Sequence, residues 1–88
     1  MIIKLNGEWW KVDLNAEIEG DTLGLCELDT KTIKICRDLT GEKQFSCFIH
    51  EVLHALQPTL CEEEILRLEG DLVGAIYEYT QGLFTNAD

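Results

Sequence analysis

Phe45-Ser46-Cys47-Phe48-Ile49-His50-Glu51-Val52-Leu53-His54-Ala55-Leu56 is the stretch in which the periodicity of the chain changes. Phe45, Phe48, Ile49, Val52, Leu53 and Leu56 follow the spacing i, i+3, i+4, i+7, i+8, i+11, which is one apolar stripe of an amphipathic helix. The pattern predicts a helix over about residues 42–57. Pro58 stops it, because the ring pushes the residue before it out of helical geometry. Both histidines of the chain fall inside this helix, at 50 and 54.

Toward the C-terminus, Ile65, Leu68, Leu72, Val73, Ile76 and Tyr79 repeat at helical spacing and predict a second helix over about residues 61–80. The connection Thr59-Leu60-Cys61 is short enough to make the two helices a tight antiparallel pair, and Gly82 to Asp88 is expected to be a frayed tail. Toward the N-terminus the period shortens to two. Ile2–Leu5 and Trp9–Leu14 are runs of β-formers separated by Asn6-Gly7, a strong hairpin signal. In the second run Trp10, Val12 and Leu14 share one face and Lys11 and Asp13 the other, so of the two tryptophans one is expected outside the core, where it would mark a contact surface or a dimer patch. A second strand pair is expected at Leu23–Leu28 and Thr32–Arg37, joined by Asp29-Thr30-Lys31. The expected fold class is α+β: a small, mainly antiparallel sheet of three to four strands over about residues 2–37, followed by an antiparallel helix pair, with residues 1–88 in one domain.

The bulk properties narrow the function. With 45% hydrophobic and 27% charged residues and one proline, the composition is that of a folded globular chain. Seventeen acidic residues against seven basic ones repel a phosphate backbone or an anionic bilayer, which argues against nucleic acid and membrane partners and for a basic peptide or protein. There is no basic segment leading into a long apolar run, so the cytoplasm is the expected compartment, and the oligomeric state is open. Cys26, Cys36, Cys47 and Cys61 form no Cys-x-x-Cys pair and are expected as free, partly buried thiols. Cys26 and Cys36 fall on the predicted second strand pair, close enough in sequence to meet, although nothing marks the chain as exported.

His50 and His54 are one helical turn apart, so their imidazoles leave the same side of the helix and both reach one tetrahedral cation. Glu51 follows the first histidine, where its carboxylate approaches a metal-activated water without ligating the metal. At about 100° per residue the histidines lie away from the apolar stripe, on a strip shared with Lys43, Cys47, Glu51 and Gln57. Two readings need no metal: a solvated pair, or a strip covered by the sheet with its imidazoles hydrogen-bonded. A third protein ligand has to come from the second helix, where Glu62 lies near the inward edge of the wheel and Glu69 within the apolar stripe. Glu62 to Glu64 also suit a first helical turn, and Thr59 with Glu62 fits a capping box. Glu62 is nearer to His54, with His50 about 6 Å further along the first helix, whereas Glu69 suits a more parallel packing or a place in the shell behind the ligands.

The stretch 45–56 followed by Glu62-x-x-Ile65-x-x-Leu68-x-x-x-Leu72, with Leu28-Asp29-x-x-Thr32-Ile33-Lys34-Ile35 upstream, resembles the small phage and prophage proteins of the ImmA/IrrE-like metallopeptidase group within the gluzincins. The similarity covers most of the chain, and its specific core is the His-Glu-x-x-His sequence. It implies a minimal zincin-like domain, a zinc ion held by His50, His54 and Glu62, and Glu51 as the base that activates water for attack on a peptide carbonyl. The implied activity is zinc-dependent peptide-bond hydrolysis, directed at a regulatory protein. The alternative is a zinc-binding interaction module with little or no turnover. The chain departs from the pattern at Glu69, where a small residue is usual, and in its short interhelical connection. Tyr77 and Tyr79 are weak candidates for a further oxyanion donor, and Cys47 is expected as a small filler beside the site, with ligation as a thiolate the lesser option.

Overall fold

Asn6 and Gly7 both take positive φ, 50° and 78°, the combination that a two-residue type I′ turn requires. The turn sets the register of β1 (Ile2–Leu5) against β2 (Glu8–Ala16), with Leu5 opposite Glu8 and Ile2 opposite Lys11. The second hairpin pairs β3 (Gly24–Glu27) with β4 (Thr32–Cys36), also antiparallel. The computed structural model, which describes the backbone of residues 1–85 and side chains through Gln81, continues with α1 (Gly41–Leu56) and α2 (Glu62–Thr85). The fold is α+β, with a four-stranded mixed sheet in the order β1-β2-β4-β3.

Both expected hairpins are present, and what joins them is a parallel pairing of β2 with β4, in which Val12 faces Ile33. Residues 17–23 carry the chain past the place that β4 takes, so β3 forms the edge and β4 returns to the middle. Cys26 faces Ile33, and Gly24 faces Ile35, so Cys26 and Cys36 are on neighbouring strands but not opposite one another. All four cysteines are free thiols.

The two central strands supply the core. Trp10, Val12, Ile33 and Ile35 are buried on the face that α1 covers with Ala55, and Phe48, Val52 and Cys47 pack around them. Each such side chain withdrawn from water contributes about 1.5–3 kcal/mol. Trp9 points the other way and is 64% exposed. The Lys4 ammonium lies 5.4 Å from its ring centroid.

The helices are antiparallel: Glu62 lies beside His50 and His54, Glu69 beside Ser46, and Val73 and Ile76 beside Phe45 near the start of α1. α2 runs on past the expected end near Thr80, so the expected tail from Gly82 begins as helix, and residues 86–88 lie outside the described residues. Its stripe is only partly covered. Ile65 is fully buried, whereas Leu72 and Tyr79 are 40% and 69% exposed. The physical reason is that α2 packs chiefly on α1, which is the shorter helix and stands between it and the sheet. Among the described residues no helix is long and apolar enough to cross a membrane.

Candidate metal centre

One turn of α1 separates His50 from His54, and the first turn of α2 delivers Glu62 between them. Glu62 Oε1 is 2.7 Å from His50 Nε2, Glu62 Oε2 is 3.1 Å from His54 Nε2, and the two Nε2 atoms are 3.2 Å apart. The crossing of the helices thus closes the gap to His50 that straight axes would leave. No capping box forms at Thr59: α2 begins at Glu62, the Ile65 N–H bonds to the Cys61 carbonyl at 3.0 Å, and the Glu62 carboxylate turns toward the histidines.

The cluster has a shortage of donors. Glu69 accepts from the Ser46 hydroxyl through one oxygen and lies 2.8 Å from His50 Nδ1 through the other. An ionised carboxylate only accepts, so the His50 proton belongs on Nδ1, and a neutral ring then turns a lone pair toward Glu62 and toward His54 Nε2. Two acceptors face each other at 2.7 Å unless a second proton or a cation lies among them. His50, His54 and Glu62 each offer one ligand atom to such a cation, all within 4.8 Å of one another. Zinc bonds of about 2.0–2.2 Å in a tetrahedron place neighbouring ligand atoms roughly 3.3 Å apart. The two Nε2 atoms stand 3.2 Å apart, near that spacing, so this donor set of two imidazoles and a carboxylate fits the ion once Glu62 draws back from His50. Glu69 lies at the opposite edge of the His50 ring from this group.

Glu51 is the buried charged residue of the described chain, 7% exposed. Its carboxyl is pushed above the usual carboxylate range by burial, against which the two histidines pull it down. Sequence reasoning missed what buries it. A Cβ on Gly24 would lie 2.7 Å from Cys47 Sγ and 2.9 Å from Glu51 Oε2, so β3 reaches this depth only because residue 24 has no side chain. The signal was available, since an isolated glycine inside a β-run marks a close approach. Cys47 sits beside Glu51 and is not among the converging ligand atoms. Burial, with Glu51 adding to it, pushes the Cys26 and Cys47 thiols up to about 11, which keeps them protonated near neutral pH. Ser46 was also missed, although it stands one turn before His50 on the same helix.

Two hollows meet at Gly24, His50 and Glu51. One, of about 490 Å³, runs past Leu23, Leu39 and Leu66, and the other, of about 400 Å³, past Leu28 and Pro58. The Cys36 N–H bonds to the carbonyl of Leu23, the residue before β3, at 2.8 Å, which makes Leu25 and Glu27 the residues of β3 that bond to β4. By antiparallel alternation Gly24 and Cys26 direct their N–H and C=O groups outward, along the groove. Tyr77 lies at the far end of the helix pair with Gly41 and Phe45, and Tyr79 is exposed two residues beyond, so neither reaches Glu51 as an oxyanion donor.

Comparisons with protein-family models, curated proteins and solved structures return no match. The chemistry of this centre rests on its own residues.

Proposed function

We propose that this chain is a zinc-dependent peptidase of minimal gluzincin type, as its resemblance to the ImmA/IrrE-like metallopeptidases implies. The observation that carries it is the convergence of one ligand atom each from His50, His54 and Glu62, all within 4.8 Å of one another. A zinc ion held there supplies a Lewis acid for the peptide carbonyl and lowers the pKa of water.

The chain's own residues supply the rest. Glu51 takes a proton from the attacking water on its carboxylate and returns it to the nitrogen of the leaving amine. Its burial favours turnover over mere metal binding, because a site that only holds zinc gains nothing from a desolvated carboxylate beside its ligands. The outward backbone groups of Gly24 and Cys26 pair with an extended peptide, so its scissile bond passes over Glu51 where the two hollows meet. A net charge of −10 favours a basic segment of a regulatory protein as substrate. Four free thiols suit a cytoplasmic setting.

The test compares wild type with Glu51→Gln for zinc content and for hydrolysis of a basic peptide library. The expected result is one zinc per chain in both and a loss of roughly 10²–10⁴ in hydrolysis in the variant. Zinc in the wild type with no hydrolysis would leave the interaction module, and undiminished hydrolysis in the variant would remove Glu51 as the base.

A further inference from the structure

His50 is gripped from both edges of its ring by carboxylates of the same helix. Glu62 lies against Nε2 at 2.7 Å and Glu69 against Nδ1 at 2.8 Å. The two glutamates are seven residues apart, two turns of α2, and therefore share a face of that helix. Their surroundings differ. The Glu62 side chain is 60% exposed, and that of Glu69 is 20% exposed with both oxygens engaged by α1, one by His50 and the other by the Ser46 hydroxyl. Glu69 is thus held before any ion arrives, and Ser46 holds it. The resemblance drawn from the sequence expects a small residue at this position, so nothing in that pattern assigns Glu69 a task.

We infer that Glu69 is the positioning residue of the centre: it fixes the ring orientation of His50 and keeps its proton on Nδ1, so that Nε2 offers its lone pair to the metal. Ser46 is the second link, orienting the Glu69 carboxylate. Partners of this kind behind a ligating histidine raise its basicity, and their removal weakens metal affinity about 10–100-fold without removing a ligand. The zinc arm of the inference rests on the proposed metal site, whereas the proton arm does not.

The proton arm uses Glu62→Ala, which removes the competing carboxylate and the metal together. Long-range ¹H–¹⁵N spectra of the imidazoles, taken above their titration range, should place the His50 proton on Nδ1 in this protein and shift it toward Nε2 when Glu69→Ala is added. A His50 proton on Nε2 in Glu62→Ala overturns the inference whatever the zinc result. In the zinc arm, chelator competition should show affinity about 10–100-fold weaker in Glu69→Ala and a smaller loss in Glu69→Gln, which keeps an oxygen for Nδ1–H and reads the charge alone should the alanine variant fail to fold. Ser46→Ala should lose less than Glu69→Ala. Wild-type affinity in a folded Glu69→Ala overturns the positioning role, and so does complete loss of zinc in Glu69→Gln, which would make Glu69 a ligand. A wild type that binds no zinc defeats the proposed metal site and leaves the proton arm to decide Glu69.

Discussion

The two sides of α1 have opposite chemistry. Toward the sheet, Phe48, Val52 and Ala55 meet Trp10, Val12, Ile33 and Ile35, all of them apolar. Toward α2 and the edge strand, Ser46, His50, Glu51 and His54 meet Glu62, Glu69 and Gly24. The first side gains free energy by leaving water, whatever the detailed geometry. The second side gathers carboxylates and desolvates one of them, which opposes folding until a cation or protons offset it. One helix therefore separates what stabilises the fold from what makes a site, and substitutions on the two sides should be separable by experiment.

The largest effect is expected on the sheet side. Ile33→Ala removes a fully buried side chain and should cost about 2–5 kcal/mol in denaturant unfolding, with zinc binding by the folded fraction unchanged. Loss of zinc binding without loss of stability would break the comparison. Gly24→Ala comes next, since its Cβ would press on Cys47 Sγ at 2.7 Å and on Glu51 Oε2 at 2.9 Å. Overpacking of this kind costs about 1–3 kcal/mol, and hydrolysis should fall further than stability does, because one of the displaced atoms is a carboxylate oxygen of the base. Adding Cys47→Ala should recover part of the stability and little of the activity, which sharpens the distinction between the two neighbours of Gly24.

A smaller effect is expected from the thiols that flank Glu51. The folded Cys26 and Cys47 titrate near 11 against an ordinary value of 9.0, so the unfolded chain releases these protons first. Their contribution to stability is complete below about pH 9 and is lost as pH rises through about 9 to 11. Melting of the metal-free protein across this range should show a steeper decline in wild type than in Cys26→Ser/Cys47→Ser, and parallel declines would contradict the assigned burial. The smallest effect is expected on the open face of the sheet, where Trp9→Ala should change stability by no more than about 0.5 kcal/mol.

The difference between the two sides also explains what was legible in the sequence. Periodicity gave both helices and both hairpins, because residues such as Trp10 and Val12, or Phe48 and Val52, record burial at the spacing of their own element. It could not give the parallel pairing of β2 with β4, since alternation in a strand is indifferent to which strand lies beside it. It also overstated the burial of Leu72 and Tyr79, because a helical stripe does not reveal how far the partner helix extends.

In the candidate site, His50, Glu51 and His54 were legible because their spacing on one helix carries their chemistry, whereas the wheel left Glu62 level with Glu69 and only the resemblance favoured it. Glu69 stayed ambiguous between ligand, hydrogen-bond acceptor and core. Only the antiparallel crossing, which puts it against Nδ1 of His50 and the hydroxyl of Ser46, separates these roles. Gly24 belongs to the site through space alone, its strand having no spacing relation to α1.

Titration of zinc into metal-free protein near pH 7, with wild type and His54→Ala run side by side, tests the central claim most directly. The expected result is a single site in wild type, accompanied by proton release, and its loss in a folded His54→Ala. A wild type that takes up no zinc, or a His54→Ala protein that binds it as tightly as wild type, would contradict the account.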